Sequence, residues 1–268
     1  MLNAVYNNIN KHIAPVSNRF LTAPGESIFD AANRFNLFNL GEIKSRNKTL
    51  PLHQKLDLPQ EIIVKGPVEK LPHEVLKVCE VFENLKYQVF RSDNKNYYLN
   101  IVGLRNDSCE PNSFDDEMWV FWRFEGKWTL KKYKITTDPG LTYLEDPINS
   151  SGTAILKEGQ YLGAFQFGKH KGLYDALIQS GPVTVIRDFN RDNKLDFTSG
   201  KEQNGFFGIN IHRSSPTGES QFVNKWSAGC QVFANITQYN EFIGLCKKSL
   251  GEWGNSFSYS LIRKEQLK

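Results

Sequence analysis

Residues 208–233 read GINIHRSSPTGESQFVNKWSAGCQVF. A short run from Gly208 ends in His212, a polar loop with Pro216 and Gly218 follows, and Trp226-Ser227-Ala228-Gly229-Cys230 leads into a second apolar run ending at Phe233. Short apolar or alternating runs bounded by turn residues are strand signals, so the segment reads as two strands able to lie side by side and bring a thiol to an imidazole. A free thiol is about a few per cent thiolate at neutral pH, so a nucleophilic cysteine needs a base beside it. Cys230 is therefore the candidate nucleophile and His212 the candidate base. Gly229 permits a tight turn and turns N–H groups towards a developing oxyanion, and the Ser227 hydroxyl is placed to orient the thiolate or the imidazole. Trp226 and Arg213, adjoining these groups in sequence, are candidate substrate contacts. His170, between Gly168 and Gly172 in FGKHKG, is either a solvated loop histidine or part of the site's mouth.

Outward from this segment the strand pattern continues. Tyr97–Leu104, Met118–Phe124, Lys127–Ile135, Gly159–Phe167, Pro182–Arg187 and Phe257–Ile262 alternate or run apolar, and Glu125-Gly126 marks a hairpin. Helical spacing appears at Glu26–Asn39, His73–Tyr87 behind Pro72, and Ile236–Leu250. Of 268 residues 40% are hydrophobic and 13% aromatic, enough for a large core and biased towards sheets. The expected class is mainly β (α+β), with a few covering helices and an N-terminal extension. Residues 1–65 are read as a docking arm, a candidate surface for a protein partner, with a proline-bearing connector at Leu50–Pro67, and residues 66–268 as the catalytic domain.

The 208–233 segment resembles the L,D-transpeptidase family, whose signature is a His at a strand end, a loop of variable length and then Ser/Thr-His-Gly-Cys. His212 matches the first His, Ser227 the hydroxyl position, Gly229 the glycine and Cys230 the nucleophile, with Cys230 18 residues after His212. Ala228 stands where the family usually has a second His, and Val232 where it often has Arg or Asn. The resemblance covers roughly residues 115–262 in strand order. It implies a β-sandwich-like catalytic domain and acyl transfer through a thioester. Cys230 would attack a peptide bond in a peptidoglycan stem peptide, and His212 would take the thiol proton and return it to the leaving amine. Transfer to an amine or to water both follow from this chemistry. Two alternatives stay open: a binding or structural module with a degraded site, and a cysteine peptidase acting on proteins.

Asp188, Asn190, Asp192, Lys194 and Asp196 fall at positions 1, 3, 5, 7 and 9 of a calcium-loop pattern, but position 6 is Asn193 and position 12 is Ser199, so an Asx-rich turn competes with a calcium site. No organic cofactor is expected. Cys79 and Cys246 lie on apolar helical faces and read as core residues, and Cys109 lies in a polar loop. The four cysteines lack metal or disulfide-framework spacing. A net charge of +4 is spread without a basic block, which argues against nucleic acid. The opening MLNAVYNNINKHIAPVSNRF lacks a signal-like apolar stretch, and no run approaches the roughly 18 apolar residues of a membrane helix. Action on the periplasmic cell wall then implies a delivered enzyme, released by phage lysis, carried on a virion or injected as an effector.

Overall fold

The computed structural model of the protein describes residues 19–35, 43–44, 48–51, 53–58, 60–63, 71–92, 95–198 and 200–268. Residues 1–18 of the expected docking arm, the end of the helix expected to run to Asn39, parts of the 50–67 connector, and Ser199 lie outside them. Two compact units are present: residues up to Val89 with Gly126–Trp128, and Phe90–Glu125 with Thr129–Lys268.

In the first unit, β1 (Arg19–Leu21) and β2 (Glu61–Ile63) pair antiparallel. Helix α1 (Ile28–Phe35) begins with a reciprocal cap: the Asp30 N–H donates to Ser27 Oγ at 3.0 Å and the Ser27 N–H to Asp30 Oδ2 at 2.9 Å. Donors that a first turn leaves unpaired are thereby satisfied. Its Ile28, Ala31 and Ala32 are buried with Ile43 and Ile62, which is the core face that the helical spacing predicts. Helix α2 (His73–Leu85) buries Val75, Leu76, Val78, Cys79, Val81 and Phe82, and it ends where Lys86 turns left-handed. Cys79 is thus a core residue, its thiol pushed up to about 12 by burial.

The second unit is built on β3 (Asn100–Arg105), β4 (Asp116–Phe124), β5 (Lys127–Thr136, from Thr129 onward), β6 (Thr153–Leu156), β7 (Gly159–His170), β8 (Tyr174–Gln179) and β9 (Val183–Asp188). It continues through β10 (Glu202–Gly205), β11 (Ile211–Arg213), β12 (Gln231–Phe233) and β13 (Phe257–Arg263), with helices α3 (Leu141–Glu145) and α4 (Ile236–Trp253). Eight strands close into a barrel in the order β11-β12-β5-β4-β3-β13-β7-β8, while β10-β9-β6 form a separate sheet. The class is β-rich with few helices, as the composition predicts. The layering differs from the expected sandwich: β11 pairs in parallel with β12 on one side and antiparallel with β8 on the other, so the main sheet closes on itself.

Ile101, Val120, Ile135, Phe165, Leu177, Ile211, Phe233 and Leu261 belong to one continuous core, to which α4 contributes Tyr239, Phe242 and Cys246. Cys246 is therefore a core residue. Helix α4 is started by Asn235, whose side chain accepts the N–H groups of Thr237 and Gln238, a favoured cap. Two connections position the site. The β7–β8 hairpin turns through Lys171 (φ 49°) and Gly172 (φ 74°), setting His170 opposite Tyr174. The parallel β11–β12 pair sets His212 opposite Val232.

Candidate active site

Cys230 lies immediately before β12 and is half-buried. The Gln231 N–H donates to the Asn210 carbonyl at 2.9 Å, which carries the register one step back and puts Cys230 opposite Asn210. Side chains two apart along a strand share a face, so Asn210, His212, Cys230 and Val232 project from the same side of the barrel. The thiol accepts the Asn210 N–H at 3.4 Å and donates to the Gly208 carbonyl at 3.4 Å. Burial pushes it up to about 11, only partly offset by the Asn210 N–H and the Lys171 charge, so it is a neutral thiol at pH 7. No hydrogen bond joins it to His212 among the described residues; unliganded sites often tighten such contacts only around substrate.

His212 is nearly fully buried. Its Nδ1 stands 2.7 Å from the Arg213 carbonyl oxygen, which can only accept, so Nδ1 carries the proton and Nε2 is left with the lone pair. The Tyr174 hydroxyl lies beside the same pair, 3.2 Å from Nδ1 and 3.3 Å from the carbonyl. Burial, then the neighbouring His170, push His212 down to about 3. The His170 ring stacks on it with centroids 4.0 Å apart and 22° between planes. Asn210 fixes the opposite tautomer there. Its Oδ1 accepts the Gln179 N–H at 2.9 Å, which turns Nδ2 to His170 Nδ1 at 3.1 Å and leaves the His170 proton on Nε2. Burial, then the Lys171 and Arg213 charges, push His170 down to about 4. At neutral pH the face therefore presents a thiol, one imidazole with a bare Nε2 and one with an Nε2–H.

The fold brings His170 to His212 at a strand end and leaves it 7% exposed, so it is not a solvated loop histidine. The Ser227 hydroxyl and the Gly229 N–H have other partners than those expected. The buried Ser227 hydroxyl donates to the Cys230 carbonyl at 2.8 Å and accepts the Gly229 N–H at 3.1 Å, so it pins the loop and orients neither thiol nor imidazole. The same bond commits the Gly229 N–H, which is not turned towards an oxyanion. The tight turn expected at Gly229 is present: its φ is +119° and a Cβ there would lie 2.2 Å from the Ala154 carbonyl oxygen. Trp226 ends a 3-10 turn (Asn224–Trp226) and packs half-buried with Cys230 against Phe114, Val223, Val232 and Ala234. Arg213 lays its guanidinium 4.0 Å from the centre of the Tyr174 ring.

In the 188–198 loop Asn190, Asp192 and Asp196 close Asx turns on the N–H groups of Asp192, Lys194 and Thr198, and Asp188 accepts the Asp196 N–H across the loop. Among the described residues no three His, Cys, Asp or Glu side chains gather as a metal set. Two cavities border the site. One of about 480 Å³ is lined by Tyr174, Arg213, Lys169 and Lys247, and one of about 300 Å³ by Ala154, Arg187, Phe207 and Ala228. The sequence reading missed Asn210 and Tyr174. Asn210 was within reach, since it sits two residues before His212 on an alternating run, but Tyr174 follows a turn and gives no local signal. No helix among the described residues is long and apolar enough to cross a membrane. No family model, curated protein or solved structure matches the chain.

Proposed function

We propose that the barrel unit is a cysteine acyl-enzyme of the L,D-transpeptidase kind, acting on stem peptides of bacterial peptidoglycan. The observation that carries the reading is the shared face: Cys230, on the residues that resemble the family motif, projects from the same side of the β11–β12 pair as a buried His212 whose tautomer leaves Nε2 free. Substrate displaces the Gly208 contact, and the thiol proton passes to His212 Nε2 as Sγ forms its bond to the peptide carbonyl carbon. Collapse of the tetrahedral intermediate breaks the C–N bond, and the His212 Nε2 proton leaves with the amine. The resulting thioester goes to an amine acceptor or to water. His170, its proton on Nε2, offers a fixed donor beside this path, where the family motif would use the residue replaced here by Ala228. The β11–β12 face and its bordering cavities suit an extended peptide.

A second reading, a binding module with a silent site, is favoured by one feature, the neutral thiol bonded to Gly208 rather than to His212. The two separate when peptidoglycan and soluble muropeptides are incubated with the protein and with Cys230→Ala, and the products are weighed by mass spectrometry. Cleaved or cross-linked stems made only by the unsubstituted protein are the expected result, and their masses tell hydrolysis from transfer. Identical, unchanged stems in both samples would leave the binding module.

A further inference from the structure

Arg187 is 7% exposed and has no carboxylate within ion-pair distance among the described residues. Its Nε donates to Gln203 Oε1 at 2.8 Å and Nη1 to the Gly152 carbonyl at 3.0 Å, while the guanidinium lies 5.0 Å from the Phe207 ring centre. Burial alone shifts it, downward, with no anion acting against that shift. A buried cation held by neutral acceptors is costly unless an anion completes it. Arg187 lines the 300 Å³ cavity, whose other named walls carry no charge.

That cavity adjoins the loop that carries the thiol, through Ala228. Arg187 pairs across the small sheet with Ala154, whose carbonyl abuts Gly229. Phe206 and Phe207 precede Gly208, the acceptor of the Cys230 thiol, and Ala228 stands two residues before Cys230. Phe206 at 68% exposure and Ile148 at 77% leave an apolar rim around the charge.

We infer that this cavity is a carboxylate-binding subsite, in which Arg187 receives a carboxylate of the peptide attacked by Cys230 and Phe206 and Phe207 cover the small apolar side chain next to it. The inference rests on the acyl-enzyme reading for its substrate, and its test does not. N-acetyl-D-alanine and N-acetyl-D-alaninamide, neither of which needs to react, are titrated into the full chain while the backbone amide resonances of Ala154, Phe207 and Ala228 are followed. The carboxylate compound is expected to shift all three saturably and to bind at least about tenfold more tightly than the amide, a preference that Arg187→Gln abolishes and Arg187→Lys keeps in part. Equal responses to the two compounds in the unsubstituted protein, or no response to either, overturn the subsite without reference to any variant's folding. Muropeptide turnover together with indifference to N-acetyl-D-alanine would remove the subsite and leave the enzyme; the converse would leave the subsite and remove the enzyme.

Discussion

At Cys230 burial and hydrogen bonding act in opposite directions. Desolvation raises the thiol to about 11, and the single Asn210 N–H recovers little of that. Alkylation by iodoacetamide is therefore expected to climb about tenfold per pH unit from pH 7 to 10, as the thiolate fraction of a group titrating well above 9 does. A plateau reached near pH 7 would mean an activated thiolate and contradict this account. The neighbouring glycine is governed by sterics. Gly229→Ala combines a left-handed φ with a Cβ 2.2 Å from a backbone oxygen that cannot swing aside. A cost of about 3 kcal/mol or more is expected, read as a fall of several degrees in Tm, and a Tm unchanged within a degree would show that the loop relaxes freely.

Among the elements, the parallel β11–β12 pair is the one that makes a site. Its register converts an interval of 18 residues in sequence into a shared face for His212 and Cys230, and the β7–β8 hairpin brings His170 and Tyr174 to the same place. The 188–198 loop does the opposite: an acidic pattern resembling a calcium loop folds as three Asx turns, spanned by the Asp196 N–H to Asp188 bond. Chelation with EDTA is accordingly expected to leave Tm unchanged, and a drop of several degrees reversed by calcium would reinstate the ion. Strands with alternating or aromatic runs were legible, as was the helical spacing of α4. Strands β6, β8 and β10 were not: Glu202–Gly205 is polar and Gly-ended, and it is a strand only because β9 supplies its hydrogen bonds.

On the scale of the whole molecule, the barrel unit encloses a charged cluster as well as an apolar core. Arg105 is fully buried; its Nε lies 3.0 Å from Asp138 Oδ1 while its Nη1 donates to Glu158 Oε1 at 2.8 Å. Asp116, raised to about 7 chiefly by burial and then by Asp138, accepts the N–H and hydroxyl of Thr137. Removing the cation leaves buried carboxylates uncompensated, so Arg105→Met is expected to cost about 3–5 kcal/mol. The loss has a pH sign. A carboxyl group whose folded value lies above its unfolded one loses stability as pH rises through the folded value, here near 7 for Asp116. The variant's deficit should therefore widen from pH 6 to pH 8 in chemical-denaturation curves, and a deficit that narrows over that range would refute the assignment.

The sequence by itself determined the β-rich class, the helical core faces of α1, α2 and α4, the burial of Cys79 and Cys246, and the pairing of His212 with Cys230 as the residues to watch. These are written in local periodicity and in residue chemistry, which need no partner to be read. Only the tertiary structure decided that the sheet closes into a barrel, that His170 stacks on His212 with the opposite tautomer, and that Arg187 is buried on a cavity shared with Ala228 with no carboxylate in ion-pair distance among the described residues. Each of these depends on which strands meet and in what register, and so on contacts between residues tens of positions apart that leave no local mark on the chain.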